Sequence, residues 1–394
     1  MPRGSVRTAV LTVCLLVGVA CTDGGDPPAS DQGEPAPVER EYWPTDEWRT
    51  ADPADHGFDA DEVAELERLV SLNYSSLQSI AIVRNGYLVY ERYWRGLDAA
   101  DGHDTRSVTK SVVSALVGIA LADGAIESVD QTMGDLFGDE LPTDADPRMA
   151  DVTVRHLLSM TSGLPGDDPS LGGDEAVFER IGDSPDLARA ILGLPLAADP
   201  GTTWAYSSAT SHLLSILVAD RTGGSTLEFA RDRLFGPLGI DTSDAYVPKG
   251  PLFGEPPPDV LERYLGASVA WPADVQGYNF GGALLKLPTR DLAKFGYLYL
   301  NEGRWDGEQI LPADYVRNST SPAVRTDLGV DYGWHWWVAR WGERERFFAR
   351  GYGGQVIEVV PDLDLVVVVT GDPLAATFSA EYLVDDAVVA AAED

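Results

Sequence analysis

Thiols are nearly absent from this sequence of 394 residues. The two cysteines, Cys14 and Cys21, both lie near the N-terminus, so the rest of the chain has no side chain for a disulfide, a cysteine-based metal site or a thiol nucleophile. Basic residues are also scarce, since 29 Lys and Arg stand against 63 Asp and Glu and give a net charge of −34. Such a surface repels the phosphates of nucleic acids, so we expect no nucleic-acid partner.

The N-terminal apolar run Ala9–Ala20 is too short to span a membrane. Arg3 and Arg7 precede this run without any acidic residue, and Cys21 follows it. A basic start followed by a short apolar run and small residues is typical of a secretory signal peptide. We therefore predict that residues 1–20 are a signal peptide.

The end of this segment, Val19-Ala20-Cys21, is similar to the bacterial lipobox, in which the cysteine is lipidated and becomes the first residue. Gly18 occupies the place where that motif usually has leucine, so free secretion is the alternative. Residues 21–45 are rich in Gly, Pro, Asp and Glu, which predicts a disordered tether. We expect Cys21 to anchor the protein on the extracytoplasmic face of a bacterial cell membrane, with no other membrane contact.

Strand patterns lie at both ends of the remaining chain, and helical patterns lie between them. Near the N-terminal end, Asn85-Gly86 joins two β runs and is the dipeptide best suited to a type I′ hairpin. We predict one mixed α/β lobe from about residues 46–105 and 275–394, with an all-helical lobe, residues 106–274, inserted into it. A cleft between two lobes is a common place for a functional site.

Ser107 and Lys110 stand at the start of an apolar helix pattern that continues through Val112, Leu116 and Ile119. The first turn of a helix has unsatisfied N–H groups and the positive end of the helix dipole, which suit an oxygen that becomes negatively charged during a reaction. Lysine occurs at only four positions, and unlike arginine it can be neutralised by burial and act as a base. The alternative for this Ser-x-x-Lys spacing is a serine cap beside a solvated lysine.

Tyr206 follows the pair Pro200-Gly201 and precedes the apolar run Leu213–Val218. A loop that leads into a helix could place the phenol against Ser107 and Lys110. Beside a cationic lysine, the phenol would lose its proton more readily and could accept a proton during the reaction. The alternative is an aromatic side chain that is simply packed in a loop.

The segment Phe348–Gln355 runs from a β pattern into three glycines. Glycine lets a ligand approach the backbone closely, so N–H groups here could join that of Ser107 in stabilising an oxyanion. A hairpin turn without a ligand is the alternative.

Three further segments accompany these elements: Val152–Leu164 with the sequence VTVRHLLSMTSGL, Gly236–Ile240 with GPLGI, and Asp291–Gly296 with DLAKFG. With these segments in this order, the chain from about residue 55 to 392 resembles the serine hydrolases of the β-lactamase and penicillin-binding protein superfamily. The resemblance is closest to class C β-lactamases, related esterases and 6-aminohexanoate-dimer hydrolases. It implies that residues 46–394 form one α/β (α+β) hydrolase domain of the β-lactamase/transpeptidase-like fold, with an antiparallel sheet flanked by helices and the helical lobe inserted.

The resemblance also implies a division of roles. Ser107 would be the nucleophile, Lys110 the group that helps to deprotonate it, and Tyr206 the general base and acid that passes the proton to the leaving group. The backbone N–H groups of Ser107 and Tyr352 would hold the oxyanion. The substrate would be a small-molecule ester or amide, cleaved through an acyl-serine intermediate without a metal or an organic cofactor.

Two predicted substrate-binding segments depart from the family pattern. Ser208 stands where the second motif usually has asparagine, and a hydroxyl lacks the paired donor and acceptor of an amide. Ala349-Arg350-Gly351 stands where the third motif usually has Lys-Thr-Gly or His-x-Gly, so Arg350 is the candidate for the missing cation and Gly351 is the matching glycine. These departures favour an ester or small-amide hydrolase over a β-lactamase or a D-alanyl-D-alanine carboxypeptidase. A binding or sensor lipoprotein that keeps the fold without catalysis is the other alternative.

Two further features have a structural and a functional interpretation. His156 suggests a Ser-His triad, but the chain has no Gly-x-Ser-x-Gly motif, so we expect a structural histidine. Tyr332, Trp334, Trp336 and Trp337 alternate along a predicted strand and are expected in the core, with a substrate pocket as the alternative.

Overall fold

The computed structural model describes residues 39–374, except residues 59, 175, 183 and 253, together with residues 380–384, 388 and 392. The predicted signal peptide, the predicted lipidation site Cys21 and most of the predicted tether lie outside the described residues. Within the described part, no helix is long and apolar enough to cross a membrane.

The helices and strands are labelled in chain order. The strands are β1 (Leu77–Arg84), β2 (Tyr87–Tyr93), β3 (Gly102–Asp104), β4 (Lys286–Pro288), β5 (Arg304–Trp305), β6 (Glu308–Gln309), β7 (Val324–Arg325), β8 (Asp331–Tyr332), β9 (Trp337–Trp341), β10 (Arg344–Gly351), β11 (Gln355–Val360) and β12 (Leu365–Gly371). The helices are α1 (Ala60–Asn73), α2 (Val108–Ala122), α3 (Met133–Phe137), α4 (Val154–Leu158), α5 (Ala176–Ile181), α6 (Leu187–Leu192), α7 (Ser208–Thr222), α8 (Thr226–Ala230), α9 (Pro258–Gly266), α10 (Thr289–Leu300), α11 (Ala313–Ser319) and α12 (Ala380–Leu383).

Strands from both ends of the chain form one antiparallel sheet, in the order β2-β1-β12-β11-β10-β9-β8-β7. β1 pairs with β12, so that Ile80 lies opposite Val369. β1 and β2 are joined at Asn85 and Gly86, which both have positive φ, as a type I′ turn requires. The arrangement confirms the predicted fold class, an antiparallel sheet built from both termini.

Side chains alternate between the two faces of this sheet. Ile80 packs on one face with Leu66 of α1 and Leu383 of α12. Its neighbour Ala81 belongs to the larger cluster on the other face, which includes Phe295 of α10. Helix α2 is buried along almost its whole length within this larger cluster. The first turn of α2 therefore lies inside the protein, where any charged side chain needs partners.

Helix α7 packs against α2, and the short helices α4, α6 and α8 pack on α7. The chain after α9 returns along α7 at very short range, because a Cβ atom on Gly281 would lie only 2.1 Å from the carbonyl oxygen of Ser211. Only glycine permits this approach. It brings the next carbonyl group, that of Gly282, to the start of α2 and α7.

The packed domain begins before residue 46, its predicted start. Arg40 Nη2 donates to Asp364 Oδ1 at 2.8 Å, and Lys294 Nζ donates to the carbonyl oxygen of Thr45 at 3.2 Å. The polar composition of residues 21–45 predicted a tether, but Arg40 and Thr45 at its end have partners more than 200 residues away in sequence. These partners cannot be read from local composition.

Replacement of Arg40 by alanine should lower the free energy of unfolding by about 1–2 kcal/mol, because it leaves the partly buried Asp364 without its bidentate partner. Arg49→Ala is the matched control, since its pairing with Glu41 is exposed on both sides and should contribute less than about 0.5 kcal/mol. Urea unfolding measures both values. Equal effects of the two substitutions would contradict the proposed anchoring by Arg40.

Candidate active site

Lys110 lies at the centre of the polar groups around the start of α2. Its side chain is buried, and its Nζ donates to Ser107 Oγ at 3.2 Å, to Ser208 Oγ at 3.0 Å and to the carbonyl oxygen of Gly282 at 2.6 Å. Three acceptors match the three N–H groups of an ammonium. The structure therefore brings together three residues that the sequence singled out, namely Ser107, Lys110 and Ser208.

Ser107 immediately precedes α2, but its side chain makes no capping hydrogen bond to the helix. The alternative of a serine cap beside a solvated lysine is therefore wrong on both counts, because Lys110 is also buried. Arg106, the residue before, has φ of 49°. Its N–H donates to Asp104 Oδ1 at 2.9 Å, and its Nη2 donates to the carbonyl oxygen of Pro373 at 2.9 Å. These contacts hold an unfavourable backbone conformation beside Ser107.

Burial lowers the pKa of Lys110 to about 8, and the negative charges of Asp167 and Asp168 oppose this shift. A buried ammonium loses hydration, which disfavours the charged form. With a pKa this close to neutral pH, both protonation states of Lys110 are accessible. The side chain can therefore take up and release a proton near neutral pH.

Tyr206 is buried against this group of residues. Lys110 Nζ lies 4.8 Å from the centroid of the Tyr206 ring, so the cation contacts the face of the ring. Burial raises the pKa of Tyr206, while a hydrogen bond with Ser107 lowers it. The net shift is upward, so the phenol is protonated at neutral pH. This differs from the expectation that a nearby cation makes Tyr206 a ready proton acceptor, because the loss of hydration outweighs the charge.

The loop before α7 is held by backbone contacts on both sides of Tyr206. The N–H of Ala205 donates to the carbonyl oxygen of Met160 at 2.9 Å, and the N–H of Asp167 donates to the carbonyl oxygen of Tyr206 at 2.9 Å. Met160 has φ of 57°, the left-handed region that is unfavourable for a methionine. The backbone is therefore shaped to deliver the tyrosine to this position.

The four aromatic residues do not share one strand, so that prediction is wrong: Tyr332 ends β8, Trp337 begins β9, and Trp334 and Trp336 lie in the connection between them. The chain turns there because the N–H of Gly333 donates to the carbonyl oxygen of Trp336 at 2.8 Å. The four side chains fall into two pairs. Tyr332 and Trp337 contact Tyr206, whose ring stacks on that of Trp337 with centroids 6.0 Å apart. Trp336 packs within the main core, and so does Trp334. All four side chains are buried, as the core interpretation predicts. The first pair also fixes the ring of Tyr206 in place.

The end of β10 lies against the chain that leads into α2. A Cβ atom on Gly351 would lie 2.4 Å from the carbonyl oxygen of Thr105, so this contact requires glycine. Tyr352 follows at the start of a turn, and its side chain is half exposed. Arg350 is exposed, and its charge lowers the pKa of Tyr206. The predicted substrate-binding segment therefore borders the site, although its glycine also has a packing role.

Asp167 and Gly282 are parts of the site that sequence reasoning missed. Ser208 donates its backbone N–H to Asp167 Oδ2 and its hydroxyl to Asp167 Oδ1, the latter at 3.3 Å. Burial raises the pKa of Asp167 to about 6, while Lys110 and the N–H groups of α7 oppose the shift. In sequence, Asp167 belongs to a Gly-Asp-Asp-Pro segment that is typical of a solvated loop. Gly282 contributes a backbone carbonyl, and a Cβ atom there would lie 2.7 Å from that of Ser208, so the pair Gly281-Gly282 is the signal that it leaves in the sequence.

The histidines near the site have structural partners. His156 Nδ1 accepts the backbone N–H of Thr153 at 3.2 Å and completes a capping box, as expected for a structural residue. His335 Nδ1 lies 3.1 Å from the carbonyl oxygen of Lys110, and burial lowers the pKa of this imidazole to about 3. In the described ranges, no group of three or more His, Cys, Asp or Glu residues could hold a metal ion.

The fold and the Ser-x-x-Lys site define a class of protein. The chain belongs to the beta-lactamase family, whose sequence profile matches residues 78–388. Together with an esterase among its relatives, this makes the protein a serine hydrolase.

Individual relatives cover the chain to different extents. An uncharacterized protein of Alkalihalophilus pseudofirmus is 26% identical over 78% of this chain and 87% of its own length. Esterase EstB of Burkholderia gladioli is 32% identical, but the match spans only 41% of this chain and 45% of the esterase. The structure of a class C beta-lactamase from Rhodobacter sphaeroides aligns with a TM-score of 0.63 at 17% identity, covering 84% of this chain and 99% of that one. At this identity the structural likeness supports the fold alone.

Replacement of Gly351 by alanine should lower the free energy of unfolding by about 1–3 kcal/mol, because the added Cβ collides with the carbonyl oxygen of Thr105. The collision also pushes β10 away from Ser107, so hydrolytic activity should fall as well. Gly250→Ala is the control, since a Cβ there meets no atom within 4 Å and its φ is not positive. Urea unfolding and ester hydrolysis measure the two effects. An unchanged Gly351→Ala protein would show that this contact is not needed.

Proposed function

We propose that the protein hydrolyses an ester or small amide through an acyl intermediate on Ser107. The observation that carries the proposal is the 3.2 Å contact between Lys110 Nζ and Ser107 Oγ in a buried site. A lysine whose pKa is lowered to about 8 can exist as a free amine, which can accept the serine proton. The serine side chain is not used as a helix cap, so its oxygen is available for the reaction.

In the first half of the reaction, Lys110 Nζ takes the proton of Ser107 as Oγ forms a bond to the carbonyl carbon of the substrate. The backbone N–H groups of Ser107 and Tyr352 hold the negative oxygen of the tetrahedral intermediate. When the carbonyl re-forms, the bond to the leaving group breaks, and the departing oxygen or nitrogen takes the proton of Tyr206. Lys110 then releases this proton and Tyr206 takes up one in its place, which restores the amine and the hydroxyl for the second half. The raised pKa of Tyr206 supports its role as this proton donor.

In the second half, water attacks the carbonyl carbon of the acyl-enzyme. The water proton passes to Lys110, and the same N–H groups hold the oxyanion. The bond between the acyl group and Ser107 Oγ then breaks, and Oγ recovers a proton from Lys110. The products are a carboxylic acid and the alcohol or amine released earlier. No step in this sequence draws on a metal or an organic cofactor.

Two departures from the family motifs support an ester or small amide over a β-lactam or a cell-wall peptide. The third motif has no lysine, and Ser208 replaces the asparagine of the second. Arg350 borders the site and could hold a substrate carboxylate in place of the lysine, which favours β-lactamase or D-alanyl-D-alanine carboxypeptidase activity as a second candidate.

The basic start, apolar run and Cys21 of the N-terminal segment support an extracytoplasmic lipoprotein, with a secreted protein as the alternative. A net charge of −34 argues against nucleic acid as a ligand, because the surface repels phosphates. On this proposal, the lipid on Cys21 is the protein's contact with the membrane.

A fluorophosphonate probe should label Ser107 in the folded protein, with the adduct located by mass spectrometry. Lys110→Met should reduce both labelling and kcat/KM for a nitrophenyl ester by about 10²–10⁴-fold, because the base is lost. Lys249→Met is the control, since this lysine is exposed, and it should leave both values unchanged. A wild-type protein with no adduct on Ser107 would refute the proposed function and leave a non-catalytic binding protein. Turnover of a penicillin in the same samples would favour the second candidate.

The rate of ester hydrolysis should rise with pH and reach half of its plateau near pH 8. The sign follows from the lowered pKa of Lys110, because the amine is a base only after it has lost its proton. The measurement is kcat/KM for a neutral ester from pH 5.5 to 9.5, with far-UV circular dichroism at each pH to confirm that the protein is folded. A flat profile across this range would contradict a base of this pKa.

A further inference from the structure

Ser208 lies between Lys110 and Asp167 and has hydrogen bonds to both. Lys110 Nζ lies 3.0 Å from Ser208 Oγ, which in turn lies 3.3 Å from Asp167 Oδ1. We propose that Asp167 is a positioning residue that fixes the direction of this hydrogen-bond chain, so that the free amine of Lys110 turns its lone pair toward Ser107. The inference rests on the proposed function, in which Lys110 accepts the serine proton.

A neutral lysine amine has two N–H groups and one lone pair for its three neighbours. The carbonyl oxygen of Gly282, at 2.6 Å, can only accept a hydrogen bond, so it takes one N–H. The two remaining neighbours, Ser107 and Ser208, are both hydroxyls and can each donate or accept. The lone pair therefore faces Ser107 only if Ser208 is forced to accept.

Asp167 supplies that constraint. An ionised carboxylate can only accept hydrogen bonds, and Asp167 takes the backbone N–H of Ser208 on one oxygen and its hydroxyl on the other. A serine hydroxyl has one proton, so Ser208 presents only lone pairs to Lys110. The second N–H of the amine then points to Ser208, and the lone pair is left for the proton of Ser107.

The same hydrogen-bond chain also accommodates the protonated form of Lys110. An ammonium has three N–H groups, and Ser107, Ser208 and Gly282 each accept one. The charge of Asp167 favours this cation, since it raises the pKa of Lys110 against the effect of burial. The lysine can thus gain and lose its proton while its neighbours stay in place.

This role accounts for the serine at the position where the family pattern has asparagine. An amide side chain has a fixed donor end and a fixed acceptor end, so it sets direction by itself. A hydroxyl rotates, and it needs a second group to fix its proton. Asp167, anchored through its backbone N–H to the carbonyl oxygen of Tyr206, is the group that does so for Ser208.

Asp168 is the neighbouring acidic residue, and it does not take part in the hydrogen-bond chain of Lys110, Ser208 and Asp167. Its side chain accepts the backbone N–H and the hydroxyl of Ser170, at 2.8 and 2.6 Å. Its charge nevertheless acts on both Lys110 and Tyr206. Asp168→Asn therefore removes a nearby negative charge while leaving the chain through Asp167 intact, which makes it a matched control.

The test is Asp167→Asn, which keeps the shape of the side chain. The backbone N–H of Ser208 requires an acceptor, so the amide oxygen takes that place and the amide nitrogen faces Ser208 Oγ. Ser208 then sends its proton to Lys110 and competes with Ser107 for the lone pair. The rate of fluorophosphonate labelling and the plateau kcat/KM for a nitrophenyl ester should both fall about 10–100-fold, which is less than the loss of the base itself because Lys110 is misdirected but still present. Asp168→Asn should change the plateau less than about threefold.

A double-mutant cycle with Ser208→Ala separates two roles of Asp167: orienting the Ser208 hydroxyl, and stabilising the start of α7 through the backbone N–H of Ser208. Without the hydroxyl there is no proton to misdirect, so Asp167→Asn should cost less than about threefold in the Ser208→Ala background. A purely structural role of Asp167 predicts the same loss in both backgrounds. That result, or an unchanged plateau in the single variant, would overturn the inference.

The pH profile gives a second readout. The titratable and charged groups around this hydrogen-bond chain are Tyr206, Asp168 and His335, with Arg350 beyond Tyr206. Loss of the Asp167 charge lowers the pKa of Lys110, so the half-maximal pH should move below that of the wild type while the plateau falls. More lysine would then be a free amine at neutral pH, yet the enzyme would be slower. An unshifted midpoint together with an unchanged plateau would contradict the inference, whereas a wild-type protein without a labelled Ser107 would contradict the proposed function itself.

Discussion

The burial of one lysine amine constrains the rest of the site. Lys110 enters a helix that is packed on all sides, so it must find polar partners within the protein or lose its charge. Its partners come from three places in the chain: the residue before α2, the start of α7 and the carbonyl group of Gly282. The close packing of α2, α7 and the segment around Gly282 therefore also sets the pKa of the Lys110 amine.

Several unfavourable backbone conformations are collected around this lysine. Arg106, Met160 and His335 all have positive φ. Arg106 directly precedes Ser107, Met160 accepts the N–H of Ala205 beside Tyr206, and His335 lies against the carbonyl oxygen of Lys110. Such conformations persist only where the surrounding contacts determine them. The sheet and the two central helices thus act as a rigid support, and the strained residues position particular side chains and carbonyl groups at the site around Lys110.

The fold class, Ser107, Lys110, Ser208 and Tyr206 could be predicted because each belongs to a local pattern: a spacing, a turn dipeptide or a family motif. Asp167 and Gly282 could not. Asp167 acts on Ser208 from 41 residues away, and Gly282 acts on Lys110 from 172 residues away. Neither pairing leaves a periodic trace in the sequence, and the pair Gly281-Gly282 does not reveal which side chain its carbonyl group meets. The early start of the packed domain was missed for the same reason.

The contact between Arg40 and Asp364 fixes the start of the described chain at one end of the sheet. Asp364 lies in the turn where β11 passes into β12, whereas Gly351 and Pro373, which contact the chain before Ser107, lie at the other end of these strands. A strand of six residues is about 20 Å long. The charge of Arg40 is therefore held about one strand length away from the chain that leads into Ser107.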